Sequence, residues 1–373
     1  MSPILSILIA LAALLQPQAL WAKKIPTATP TAVEVPTETP SDTPTATPLP
    51  FNGAKLYTFD AMWGSKGSGN DQLNGPEGID ISPSGKIVIA DTGNSRVVVW
   101  DANGSPYKTF GSFGTSATWR NPPEFNHPSG VFVHPSKHLY VADTLNHRVV
   151  VLDEKGMVLS SFGTQGNGNG QFNLPRDVAK DHFGNIWVLD SGNSRVQIFS
   201  GLGEFISGWG SFGADPGFLN NPLGFALNVI DQTILADTGN FRMQVMNDKG
   251  AAVTAEGWFG DGPDQFKEPG GVAITKDGLI ALTDGFGRVE FFNHRFDFIG
   301  QWVAKDEILT ANYSPKFHGI AADQENRFYI TDSQNGSVIR IRPLGAQETP
   351  IPRRATPTPV DSNPYGGVGY PIR

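Results

Sequence analysis

The chain has 373 residues, a net charge of −8 and no cysteine. The lack of cysteine excludes disulfides, thiolate zinc sites, cysteine nucleophiles, RING-type modules and a lipoprotein anchor. An acidic balance without any Lys/Arg run argues against a nucleic-acid surface, and 43 glycines with 29 prolines suit short strands and tight turns rather than long helices.

Residues 1–22 read as an export signal. Ile4 to Leu15 is apolar, Gln16-Pro17-Gln18 breaks the run, and Leu20-Trp21-Ala22 suits cleavage. An uncleaved anchor is the alternative, because the apolar run is short for a full span and Lys23-Lys24 follows it rather than preceding it. Residues 23–50 are rich in Pro and Thr, a composition expected to form an extended polyproline-II spacer. Residues 346–373 return to that style and then turn Gly/Tyr-rich, so both tails are expected to be disordered.

Between the tails, one phrase recurs six times. VIADTGNSRVVVWD ends at Asp101, YVADTLNHRVVVLD at Asp153, WVLDSGNSRVQIFS at Ser200 and ILADTGNFRMQVMN at Asn247. IALTDGFGRVEFFN and YITDSQNGSVIRIR are worn copies. The Asp of each copy is Asp91, Asp143, Asp190, Asp237, Asp284 and Asp332, at spacings of 52, 47, 47, 47 and 48. Such a period with short β runs marks a propeller or solenoid. In the third copy, strands are expected at Asp177–Lys180, Ile186–Leu189, Arg195–Phe199 and Phe205–Trp209. Gly192 and Asn193 should supply positive φ in the loop after Asp190.

Four antiparallel strands per repeat describe a propeller blade. The predicted fold is all-β, a six-bladed propeller over residues 51–345. The sixth copy lacks a fourth strand, and Lys55–Phe59 with Trp63 matches it, so the N-terminal strand should complete the last blade. Closure of this kind removes the open sheet edge.

The series Pro-x-Gly-Ile/Val, Gly-Asn-Ile-Trp-Val, Ala-Asp-Thr-Gly-Asn-x-Arg-Val and Phe-Gly resembles the NHL repeat across residues 55–342. The fifth copy is one residue short, and Ser337 stands where the sixth should carry Arg. The resemblance implies a six-bladed propeller but no single activity. The family includes ubiquitin-ligase recognition domains, RNA binders, a zinc-dependent amidating lyase and many exported bacterial proteins, and the chain looks most like the last group.

The repeated Asp91, Asp143, Asp190, Asp237, Asp284 and Asp332, with Arg96, Arg148, Arg195 and Arg242, read as structural, since a residue present in nearly every blade serves the blade. Trp187, Trp209, Trp258 and Phe162 read as packing between blades. Function should reside where blades differ. The residue between Pro and Gly at the start of each first strand is Glu77, Ser129, Arg176, Leu223, Gly270 and His318, and these should ring the channel mouth. Glu77, Arg176 and His318 are the polar candidates for binding. Two long connections, Ser112–Glu124 with Trp119-Arg120 and Val303–Lys316 with Lys305-Asp306-Glu307 and Tyr313, should carry recognition on the same face.

The expected function is an exported, monomeric recognition module, secreted or held at the cell surface or envelope, binding a protein, peptide or glycan. Membrane contact is expected only through an uncleaved N-terminal segment. The alternative is a metal-dependent lyase or hydrolase resembling the amidating-lyase branch. That chemistry wants three converging ligands. His318 alone stands at the matching position, and neither a Gly-x-Ser-x-Gly elbow nor a phosphate-cradling Gly-Lys-Ser/Thr loop occurs. No cofactor is expected. Aspartates and carbonyls suit Ca²⁺, and a calcium ion in the channel would be structural.

Overall fold

The computed structural model describes residues 55–115, 121–310 and 313–345. The chain divides between Thr47 and Pro48 into two units, and every described residue belongs to the second. The expected export signal, the Pro/Thr-rich stretch, the C-terminal tail and Trp119-Arg120 lie outside the described residues.

Six four-stranded antiparallel sheets form six blades. Blade 1 comprises Ile79–Ile81, Ile87–Asp91, Arg96–Trp100 and Pro106–Phe110. Blade 2 comprises Pro128–Val133, Leu139–Asp143, Arg148–Leu152 and Val158–Phe162. Blade 3 comprises Pro175–Lys180, Ile186–Asp190, Arg195–Phe199 and Phe205–Trp209. Blade 4 comprises Gly224–Leu227, Thr233–Asp237, Arg242–Met246 and Ala252–Glu256. Blade 5 comprises Pro269–Ile274, Ile280–Asp284, Arg288–Phe292 and Phe298–Val303. Blade 6 takes Phe317–Ala322, Phe328–Asp332 and Ser337–Pro343 from one end of the chain and Tyr57–Trp63 from the other.

The closing strand pairs Tyr57 with Pro343 and Trp63 with Val338, with a bulge at Asp60. The bulge turns Asp60 onto the buried Arg340 guanidinium, which lies over the rings of Trp63 and Tyr329. Six apolar clusters lie one between each pair of neighbouring blades, including the one between blades 6 and 1. Fully burying one such side chain stabilises by about 1.5–3 kcal/mol, so the ring holds largely through blade-to-blade packing.

Within each blade a buried carboxylate organises the loop that follows the second strand. Asp190 accepts from the Asn173 backbone N–H (2.7 Å), Asn193 Nδ2 (2.9 Å) and Arg195 Nε (2.7 Å). Arg195 then donates to the Gly168 and Gln171 carbonyls, tying down the incoming connection. Asp91, Asp143 and Asp237 make the same bonds with Arg96, Arg148 and Arg242. In the shortened fifth copy Arg288 reaches Asp284 from four residues away.

The glycine of this loop serves another purpose than the expected one. Gly192 is not in the left-handed region; Ser194 is, at φ 51°. A Cβ on Gly192 would lie 2.6 Å from the Asn173 carbonyl oxygen, so glycine is needed for close approach. Leu145 takes this place in blade 2, where its N–H···O bond to Asn126 is 3.1 Å against 2.9 Å at Gly192. Trp187 and Phe162 pack between blades and Trp209 meets Trp187 edge-on, but Trp258 is exposed, contrary to expectation.

A ring of hydroxyls joins the blades. Thr92, Thr144, Ser191 and Thr238 donate to the carbonyls of Pro128, Pro175, Pro222 and Pro269 in the next blade (2.5–2.8 Å). In the worn copies the donor is the residue before the Asp. Thr283 bonds the His318 carbonyl at 2.5 Å, and Thr331 closes the ring on the Glu77 carbonyl at 2.6 Å. Two channel carboxylates add further links. Asp80 accepts from Val133 N–H of blade 2, and Asp177 from Phe225 N–H of blade 4. Burial raises each to about 7, although both residues keep some exposure.

Blade 5 carries a misfit. In blades 3 and 4, Gln197 and Gln244 accept from a backbone N–H and donate to a carbonyl and to the blade's Asp. Glu290 holds this place in blade 5, fully buried, with neither oxygen hydrogen-bonded and Arg288 Nη1 3.6 Å away. Burial, aided by Asp284 and Asp264, raises it from 4.5 to about 8.

Two outcomes follow from these buried carboxylates. Asp190→Ala should lower stability in urea by about 3–5 kcal/mol, because it strands the Arg195 charge and the Asn173 N–H; a loss below about 1 kcal/mol would show the clamp to be redundant. Glu290 has its folded value raised, so it should contribute stability below pH 4.5 that is lost as pH rises through about 8. Glu290→Gln should flatten this dependence and exceed the parent by about 1–3 kcal/mol above that pH, by restoring the glutamine bonds of blades 3 and 4. Parallel pH–stability curves for the two proteins would refute it.

Candidate functional site

The first strand of each blade starts at the channel mouth, and the hydroxyl ring sets its height there. The six blade-variable residues Glu77, Ser129, Arg176, Leu223, Gly270 and His318 all line one cavity of about 60 Å³. The glycines that follow most of them allow the strands to crowd together: a Cβ on Gly78 would lie 2.2 Å from the Ser129 carbonyl oxygen, and one on Gly319 2.3 Å from that of Glu77. Blade 3 departs from this pattern with Asp177.

The charges gather on one side of the mouth. Arg176 Nη1 reaches across to Glu77 Oε2 at 2.8 Å and lies 3.4 Å from Ser129 Oγ. Ser129 Oγ in turn is 2.7 Å from the Thr144 hydroxyl. His318 faces the same space, and burial, reinforced by Lys316 and Arg176 against the opposing pull of Glu77 and Glu268, lowers its value and favours the neutral ring. Leu223 and Gly270 leave the opposite wall uncharged. A cavity of this size holds about two waters and falls well below the roughly 300–1,000 Å³ of a small-molecule pocket. It suits a single polar side-chain tip or sugar substituent.

The other expected site residues are placed differently. Tyr313 donates its hydroxyl to Asp332 Oδ2 at 3.0 Å, filling the position that Ser337 leaves without an Arg. It is therefore a half-buried part of the blade 6 clamp rather than an exposed recognition aromatic, and burial raises its phenol well above the usual range. The first part of the connection Val303–Lys316, Ala304–Ile308, forms a strap. Glu307 accepts from Phe59 N–H (2.6 Å), Thr58 Oγ1 (2.8 Å) and Lys55 Nζ (3.1 Å), fastening the closing strand. Trp119 and Arg120 lie outside the described residues.

Sequence reasoning missed the aromatics on the mouth face. Phe113, Phe212 and Phe259 occupy the same place in three connections between blades and are 67%, 73% and 61% exposed. Trp258 stands beside Phe259, which meets Phe241 edge-on at 5.1 Å. The same place holds Lys66 before blade 1 and Gln165 before blade 3, so variation between blades was the available signal.

The donors present do not fit a catalytic metal. The Arg176 guanidinium occupies Glu77, His318 is the single histidine of the mouth, and among the described residues no three His, Asp or Glu side chains converge. The repeat aspartates Asp91, Asp143, Asp190 and Asp237 are engaged by N–H donors of their own blades.

The NHL repeat model matches residues 73–100, 125–152 and 172–199, within the first three blades. NHL repeat-containing protein 3 of Mus musculus is 30% identical over 122 residues, covering 30% of this chain and 35% of that protein, so the chain spans about a third of its relative. Among solved structures, a streptogramin B lyase aligns with a TM-score of 0.53 at 12% identity, covering 78% of this chain and 100% of that one. A gluconolactonase from Xanthomonas campestris aligns with a TM-score of 0.51 at 17% identity, covering 73% and 87%. At these identities the two structures share the fold alone. Three of the six copies match the NHL repeat model, and blades 1 to 5 share the Asp–Arg loop, so the propeller is built on NHL repeats.

Proposed function

We propose that this NHL propeller is an exported recognition module whose mouth face binds a protein, peptide or glycan. The observation that carries the reading is the small well holding the Glu77–Arg176 pair, set on a face that also displays exposed phenylalanines. An ion pair at an open mouth can exchange partners with an incoming carboxylate, amide or hydroxyl. The neighbouring aromatics supply the apolar area that so small a cavity lacks. Aromatic and Arg anchors of this kind dominate binding at interfaces.

The enzyme alternative, a metal-dependent lyase or hydrolase, draws on His318, whose neutral ring beside Glu77 has the form of a general base. The donor set described above does not assemble a metal site around it, and the well is small for a substrate. Recognition requires nothing beyond the groups present.

The test is to probe peptide and glycan arrays with the full chain, with Arg176→Ala and with Phe212→Ser/Phe259→Ser. The expected result is a defined set of ligands bound by the parent and weakened about tenfold or more by each mouth-face variant, since losing a central anchor costs about 2 kcal/mol or more. Binding that survives both variants would place recognition elsewhere, and turnover of a bound ligand that is lost in His318→Gln would favour the enzyme.

A further inference from the structure

Each blade has two turns on the face opposite the mouth, and comparing them within one chain shows where the surface departs from its own pattern. At the tip of the turn between the first and second strands, blade 1 carries Pro83-Ser84, blade 5 Lys276-Asp277 and blade 6 Gln324-Glu325. Blade 3 carries His182-Phe183 and blade 4 Val229-Ile230. In the turn between the third and fourth strands, Asn103, Lys155, Lys249 and Arg295 occupy the place that blade 3 gives to Leu202. Phe183, Leu202, Val229 and Ile230 are 76%, 84%, 96% and 67% exposed.

These four side chains form one patch. His182 Nδ1 lies 2.7 Å from Asp231 Oδ2, joining the blade 3 turn to the blade 4 turn. A Cβ on Gly201 would lie 3.4 Å from the Gly184 carbonyl oxygen, so the Leu202 turn abuts the Phe183 turn. Large apolar side chains at such exposure are unfavourable in water unless something covers them.

Both ends of the described chain reach this same face. Ser337 adjoins the mouth-face loop, so its strand ends at Pro343 on the far side, where Leu344 N–H donates to the Leu56 carbonyl. Fifty-four residues precede Lys55, among them the apolar run Ile4–Leu15. The four side chains stand at turn tips and are largely exposed, which suits insertion into a soft surface. The neighbouring turns alternate in sign, with Glu154-Lys155 and Asp248-Lys249, and so give no preference for an anionic surface.

We propose that the turn face of blades 3 and 4 is a lipid-docking surface, in which Phe183, Leu202, Val229 and Ile230 insert into the headgroup–acyl boundary of a zwitterionic membrane. Insertion of a few apolar side chains gives reversible binding that scales with the area buried. The docked disc turns its channel mouth away from the lipid.

The experiment is cosedimentation of the full chain with phosphatidylcholine vesicles. The fourfold variant Phe183→Ser/Leu202→Asn/Val229→Lys/Ile230→Asp borrows residues that the same turns carry in blades 1 and 5, and should lower partitioning about tenfold or more. Phe212→Ser, on the opposite face, should leave it unchanged. The apolar run at 4–15 is common to all variants, so only the difference between them bears on the patch. Because the chain has no cysteine, Leu202→Cys and Phe212→Cys each accept one environment-sensitive dye. Vesicles should shift the emission at 202 to the blue and leave that at 212 unmoved. Equal partitioning of parent and fourfold variant, or equal shifts at both positions, overturns the proposal. Self-association that the fourfold variant abolishes without lipid assigns the patch to a protein contact and overturns it as well.

Discussion

The propeller depends on a small polar link made once per blade. A threonine or serine hydroxyl at the end of the second strand donates to a carbonyl at the start of the next blade's first strand, and Thr331 returns the series to Glu77. The apolar clusters between blades supply most of the attraction, but attraction by area is not directional. A buried hydroxyl bond is, because leaving its acceptor unpaired costs about 1–3 kcal/mol. These links set the height of every inner strand and thereby bring six residues from six blades to one cavity.

The worn copies show how a repeat drifts without losing its blade. Blade 5 loses one loop residue, and Arg288 still reaches Asp284 because its guanidinium approaches through Nη2 rather than Nε. Blade 6 has Ser337 in place of the clamp arginine, and Tyr313 supplies a hydroxyl from the preceding connection. In both blades the hydroxyl donor moves to the residue before the Asp. Glu290 is the one exchange left uncompensated: a carboxylate in a glutamine's place, held toward its neutral form by burial. The loop Ala304–Ile308 belongs to the same economy, since Glu307 and Ile308 secure the closing strand and its core.

The two faces of the disc differ in kind. The mouth face carries the ion pair, the neutral histidine and the exposed phenylalanines of the connections. The opposite face is polar at most of its turns and apolar at three adjacent ones. A rigid ring allows such division because loop residues are free of the packing that constrains the strands.

The repeat period, the blade count, the closing strand and the strands of blade 3 were legible in the sequence, because each depends on local alternation and turn residues that recur six times. The mouth ring was legible for the same reason: Glu77, Arg176 and His318 sit at one repeat position, and the symmetry of a propeller carries equal positions to equal places. What compensates for a missing group was not. Tyr313 read as a free aromatic and Glu307 as part of a recognition loop, since their partners Asp332 and Phe59 are 19 and 248 residues away. Gly192 read as a conformational need, whereas a carbonyl from the preceding connection made it a spatial one. Sequence alone determined the repeating unit, whose interactions lie mostly within one period. The tertiary structure decided which irregular residues are structural and which face outward, because only closure of the ring brings distant segments into hydrogen-bonding range.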